Sequence, residues 1–179
     1  MVRTTEPRAV ILARPAGVRS GPSGPGCTGT RAGIIARMNY ELFMAEALAE
    51  SRLALEGGER PGAAVAVLDE AMVARAHDQV RASADPTAHA VVLALREAAR
   101  KLGPDRLAGV TIFTTVEPCA MCAGALLECE VAEVVYAVAD LDRGAAASVL
   151  QRAASRTRPR VVSGILQDQA EDLIATARR

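Results

Sequence analysis

Short β-branched runs alternate with helix-sized segments, and this alternation constrains the chain most. Val110 to Thr115 is β-branched and aromatic, which predicts a strand. Pro118 then opens a helix running to about Glu128, and Val134 to Val138 returns as a strand. The same alternation extends upstream. Asn39 suits a helix N-cap, Glu41 falls in its first turn, and Met44, Leu48, Ser51 and Leu55 form one stripe. Gly57 and Gly58 stop that helix. Ala63 to Leu68, the turn Asp69-Glu70 and Ala71 to His77 read as a hairpin. A loop from Asp78 to Pro86 leads to a helix from about Thr87 to Leu102, stopped by Gly103-Pro104. Val161 to Ser163 predicts a fifth strand and Gln167 to Ala177 a closing helix. Strands interleaved with helices give an α/β layered domain around one central sheet.

The 179 residues suffice for one domain with a tail. Half are apolar, enough to bury a core. No run approaches the roughly 18 apolar residues of a transmembrane helix, so no membrane partner is expected. Four cysteines, two of them in one Cys-x-x-Cys, do not make a secreted disulfide framework, and the surface reads as cytoplasmic. Charge is divided unevenly. Residues 1–37 hold six arginines against one acid, whereas residues 38–179 hold 15 basic and 20 acidic residues. A folded part of that sign repels phosphate unless its bases are clustered. Residues 15–33 are rich in Gly, Pro, Ser and Thr without apolar periodicity, so 1–37 is expected to be a disordered extension and 38–179 the domain. Ala9 to Ala13 is too short for a signal peptide core. The Arg-rich start also fits a transit peptide, and Met38 is an alternative start.

Three residues can carry chemistry. In Pro118-Cys119-Ala120-Met121-Cys122, proline leaves backbone N–H groups free at a helix start, and the helix dipole stabilises a thiolate there. The x-x spacing puts both sulfurs on one side of the first turn. His89, after Asp85-Pro86-Thr87-Ala88, starts a different helix. Two helix tips at one sheet edge can converge on a single ion, and one imidazole with two thiolates is a zinc-like donor set. The competing readings are a redox Cys-x-x-Cys and a closed structural zinc. The residues favour an open site over a closed one. Cys129 lies about 10 Å further along a continuous helix, Cys27 is in the tail, and His77 is the one other imidazole.

The sequences Asp85-Pro86-Thr87-Ala88-His89-Ala90 and Thr115-Val116-Glu117-Pro118-Cys119-Ala120-Met121-Cys122-Ala123-Gly124-Ala125-Leu126 resemble the zinc-dependent cytidine/deoxycytidylate deaminase superfamily. Within it they are most similar to the bacterial tRNA-specific adenosine deaminases. The resemblance spans about Asn39 to Arg179, with echoes at Pro61 to Val67, Leu93 to Ala98, Val134 to Tyr136 and Gly144 to Ala146. It implies a three-layer fold with a mixed sheet of about five strands flanked by helices. It also implies zinc on His89, Cys119 and Cys122 with one position left for water, and hydrolytic deamination of a nucleobase. The implied partner is a nucleobase, a nucleoside or a tRNA anticodon loop, and the implied assembly a homodimer to which the apolar Met121 to Leu126 helix contributes.

The chain departs from this pattern where the chemistry is most sensitive. A Glu two residues after the His normally shuttles the protons, and here that residue is Val91. General acid–base help is worth about 10²–10⁴-fold, and valine cannot supply it. Asp78 stands where the family commonly has an Asn that contacts the nucleoside, and it is the first candidate for a substitute shuttle. Glu59 is another. Glu117 beside the Pro-Cys pair accompanies the usual Glu in relatives and is expected to be structural. The closing Leu173 to Arg179 lacks the aromatics of the tRNA enzymes. Two further readings therefore stand beside the tRNA deaminase: a free-base or small-nucleoside deaminase, and a zinc-bearing relative acting as a binding or regulatory subunit.

Overall fold

Alternate residues along each strand face opposite helical layers, and the two layers differ in side-chain size. The computed structural model describes residues 10–11, 38–151 and 158–177. In chain order the elements are β1 (Val10–Ile11), α1 (Tyr40–Glu56), β2 (Ala63–Leu68), β3 (Ala71–His77) and α2 (Ala90–Leu102). Then come β4 (Thr111–Val116), α3 (Ala120–Glu128), β5 (Glu133–Val138), β6 (Arg160–Ser163) and α4 (Gln167–Ala177). A 3-10 segment, Pro104–Gly109, precedes β4, and a short π turn, Ala146–Leu150, follows β5. No helix of the described residues is long and apolar enough to cross a membrane.

The sheet order is β1-β6-β5-β4-β2-β3. β4, β5 and β6 run parallel, and β2 runs antiparallel to both β4 and β3. The expected mixed sheet of five strands is thus present. β1 adds a sixth at one edge, antiparallel to β6 with Val10 opposite Ser163. Val10–Ile11 falls within the extension expected to be disordered, and there the expectation fails: two β-branched residues suffice to extend an open sheet edge. The rest of the expected extension, 1–9 and 12–37, lies outside the described residues.

Val65 and Val67 of β2 pack with Phe43, Met44, Ala47, Leu48, Phe113 and Val135 in the layer of α1 and α4. Ala64 and Ala66 face the other way, in a cluster with Ala74, Ala76, Ala90, Ala94 and Ala98. Alanine on both surfaces lets α2 approach the sheet closely, so its N-terminus is held within reach of the strand ends. Helix starts are the main difference from the sequence reading. Asn39 caps α1 as expected, its side chain accepting from Leu42 N–H. α2, however, begins at Ala90 rather than Thr87, because residues 85–88 close into turns. Asp85 accepts from Thr87 N–H, and Ala88 N–H donates to the Asp85 carbonyl. α3 begins at Ala120 rather than Pro118, with Cys119 extended at its cap position.

Phe113 is fully buried, its ring 5.8 Å from that of Tyr40 and 5.4 Å from that of Phe43. Replacing it with alanine is expected to cost about 3–5 kcal/mol of unfolding free energy in urea titrations. A decrease under about 1 kcal/mol would contradict the packing described.

Candidate metal centre and cleft

Because β2 runs against β4, the start of β2 lies beside the end of β4, with Ala64 opposite Thr114. The end of β3 joins the same edge, since Ala63 pairs with His77. The chain therefore brings Glu59 to Gly62, Asp78, Glu117 to Cys119 and Ala139 to Asp142 to one side of the sheet. They line a cleft of about 840 Å³ together with the first turns of α2 and α3 and the end of α4. The outer ends of parallel strands at such a reversal are where α/β sheets place ligands.

His89 and Cys119 occupy the cap positions of α2 and α3, and Cys122 lies one turn into α3. His89 Nδ1 is 3.7 Å from Cys119 Sγ and 3.6 Å from Cys122 Sγ. All three donor atoms lie within 4.8 Å of one another. A tetrahedral ion with Zn–S of about 2.3 Å and Zn–N of about 2.0–2.1 Å sets nitrogen and sulfur about 3.6 Å apart. The donors fit zinc without rearrangement. Burial, then neighbouring Cys119, pushes the Cys122 thiol up, so two thiolates at this place require a cation. Among the described residues no fourth His, Cys, Asp or Glu joins the group. Cys129 caps the far end of α3, and His77 Nδ1 is 3.0 Å from Glu50 Oε2. Cys27 lies outside the described residues.

Asp78 is buried at 5% exposure, and its Oδ1 accepts the Ala90 N–H at 2.7 Å. It thereby caps α2 from a different element, a role His89 leaves open because its own side chain makes no cap. Burial pushes the Asp78 carboxyl up, while the Ala90 N–H and His89 work against that. Gly62 makes room for it: a Cβ there would sit 2.6 Å from Asp78 Oδ2. Thr115 and Ser51 hydroxyls both donate to the Pro61 carbonyl, which fixes this approach.

The other carboxylates are committed to the backbone. Glu59 Oε1 accepts from Arg81 and Ala82 N–H, each at 2.8 Å. Glu117 accepts from Asp140 N–H at 3.2 Å and Ala146 N–H at 3.0 Å, which clamps the loop after β5. Gly144 is needed at that clamp because a side chain would collide with the Glu117 carboxylate and the Asp140 carbonyl. Val91, at 4% exposure, lines the cleft on the first turn of α2 and packs into the core cluster. The sequence reading did not single out Arg60, Arg81, Leu141 or Ile174, which also line the cleft. No local motif marks them; only the fold brings them together.

The family model described as the cytidine and deoxycytidylate deaminase zinc-binding region matches residues 37–138. The tRNA-specific adenosine deaminase of Bacillus subtilis (strain 168) is 37% identical over 138 residues, covering 75% of this chain and 86% of the relative. That of Aquifex aeolicus (strain VF5) is 38% identical over 112 residues, covering 63% and 74%. A structure from studies of A-to-I editing by tRNA:A34 deaminases superposes with a TM-score of 0.70 at 35% identity, covering 74% of this chain and 98% of that one. The guanine deaminase of Bacillus subtilis superposes with a TM-score of 0.56 at 37% identity, over 63% and 71%.

Asp78→Ala is expected to weaken zinc affinity about 10–100-fold in chelator competition, as removal of a residue supporting a ligand does. Asp78→Asn should keep most of it, since an amide oxygen still accepts the Ala90 N–H. Equal affinity for the wild-type and alanine proteins would refute the capping role.

Proposed function

The chain belongs to the cytidine and deoxycytidylate deaminase zinc-binding family, and from that premise we propose that it is a zinc-dependent hydrolytic deaminase of a nucleobase whose turnover is limited by Val91. The observation that carries this reading is the His89–Cys119–Cys122 group, with separations fit for zinc and a cleft beside it. Adenosine in a tRNA anticodon loop is the first substrate to test, because relatives 37–38% identical to this chain are tRNA-specific adenosine deaminases. The likeness to a guanine deaminase makes a free base the second.

Hydrolysis replaces an exocyclic amine by a carbonyl: water adds to the ring carbon, the C–N bond breaks and ammonia leaves. His89, Cys119 and Cys122 would hold zinc, which when bound supplies Lewis-acid activation of water, lowering its pKa to about 7. Protons must still pass from the water to the ring nitrogen and the leaving amine. Val91 stands at the position of the usual shuttle and has nothing to pass them with. Glu59 and Glu117 are occupied by backbone N–H groups. Asp78 spends Oδ1 on Ala90, and its second oxygen is the group we assign to the transfer.

Ammonia release tests this on zinc-loaded protein given adenosine, cytidine, guanine or an anticodon stem-loop. Slow release above a Cys119→Ala control is expected, and Val91→Glu should raise it by about 10²–10⁴-fold. Asp78→Asn should lower the residual rate while retaining zinc. Silence from both the wild-type and Val91→Glu proteins would end the deaminase reading. The second reading, a zinc-bearing binding subunit, draws on Val91 itself. It is favoured if the wild-type protein is silent and Val91→Glu alone turns over.

A homodimer belongs to the same reading, supported by the exposed Ala120, Met121 and Gly124 on α3. Sedimentation equilibrium is expected to give twice the chain mass, and Met121→Glu to shift the protein toward monomer. A wild-type monomer at micromolar concentration would exclude it.

A further inference from the structure

Two guanidinium groups stand on one rim of the cleft, and the chemistry above uses neither. Arg60 lies in the turn between α1 and β2, between Glu59 and Pro61, and is exposed. Its side chain makes no hydrogen bond or ion pair among the described residues. Arg81, in the loop after β3, folds back onto the same turn. Its Nη1 donates to the Gly58 carbonyl at 2.8 Å, and its backbone N–H donates to Glu59 Oε1. One of its five guanidinium N–H donors is thereby spent, which fixes the group in place and leaves its charge unpaired.

Three other cations of the described residues are held in ion pairs. Arg75 pairs with Glu46 and Glu50, Lys101 with Glu97, and Arg160 with Glu133. Arg60 acts electrostatically on Asp78, and Arg81 reaches Glu59 only through its backbone N–H. Asp78 and Glu59 are both buried and accept from backbone N–H groups rather than from either guanidinium. On the opposite rim the loop after β5 presents Asp140 and Asp142, with Asp140 Oδ1 accepting from Asp142 and Arg143 N–H. The Gly58–Gly62 side of the cleft thus carries two guanidinium groups, whereas the loop after β5 carries Asp140 and Asp142 with Arg143 beside them. From residue 38 onward acids outnumber bases, so the Gly58–Gly62 rim is where an anion meets attraction rather than the overall repulsion. Planar guanidinium forks match the oxygens of a phosphate.

We propose that Arg60 and Arg81 form a phosphate-binding rim, so that the base enters this cleft as part of a nucleotide rather than alone. This rests on the reading of the cleft as a nucleobase site. It deepens that reading by naming which part of the ligand lies where: phosphate at the Gly58–Gly62 turn, away from Asp140 and Asp142. The phosphate can belong to a free nucleotide or to an RNA strand.

Equilibrium binding to the zinc-loaded full chain tests the rim with three probes: adenosine, adenosine 5′-monophosphate and a seven-nucleotide RNA containing one adenosine. A phosphate-bearing probe is expected to bind at least about tenfold more tightly than adenosine at low salt. In Arg60→Ala, which breaks no internal hydrogen bond, that ratio should fall severalfold. In Arg60→Ala/Arg81→Ala it should approach one, with zinc content checked to show that the fold is kept. The salt slope of RNA binding should decrease by about one for each arginine withdrawn from a phosphate. An arginine-dependent gain with the monophosphate assigns the rim to free nucleotides, and a gain with the RNA alone assigns it to a strand. Both outcomes support the rim. Adenosine binding with no gain from phosphate, or a gain indifferent to both arginines, overturns the rim and leaves the nucleobase reading standing. Failure of all three probes to bind also overturns the rim, and the ammonia assay on the other bases then decides the nucleobase reading.

Discussion

Where β2 runs against β4 the sheet changes from antiparallel to parallel, and four strand ends on that side meet at one edge. A wholly parallel arrangement would send the starts of some strands to the opposite edge, and Pro61–Gly62 would be far from Glu117–Cys119. The reversal makes a cleft possible; small residues make it tight. Alanines on the α2-facing side of β2 and β3 let α2 lie close to the sheet. Gly62 then leaves room for the Asp78 carboxylate to reach the Ala90 N–H. His89 is held by this chain of contacts, and Cys119 is held by the parallel pair β4 and β5 with α3 between them.

The carboxylates of the cleft divide by task. Glu59 and Glu117 each take two backbone N–H groups and hold loops in place. Asp78 is intermediate, with one oxygen in the cap of α2 and the other beside Gly62. The position assigned to the proton carrier in the proposed reaction is filled by Val91, whose side chain joins the core. On the proposed reading, a donor group of zinc-binding geometry stands beside a proton path that lacks its usual carrier, and separate measurements resolve the two.

The charge pattern also takes its meaning from the fold. By count, the part beyond residue 37 is acidic and unwelcoming to phosphate. In three dimensions the acids that line the cleft near Arg60 and Arg81 accept from backbone N–H groups, and neither guanidinium is held in an ion pair. Net charge sets the long-range field, but a ligand at contact distance responds to the groups within a few ångströms.

The sequence by itself determined the order of strands and helices, the two helix tips that carry His89, Cys119 and Cys122, and the absence of the acid at Val91. These are local facts. β-branched runs, proline and glycine stops and a Cys-x-x-Cys spacing each act within one or two turns of chain. It misplaced the starts of α2 and α3 by two or three residues, because turns at Asp85–Ala88 and the extended cap at Cys119 compete with helix there. Only the tertiary structure decided that Asp78 caps α2, that Glu59 and Glu117 clamp loops, that β1 adds to the edge beside β6, and that Arg60 and Arg81 share a rim. Each of those depends on residues far apart in sequence. Such contacts are set by sheet order and layer packing, which no local pattern encodes.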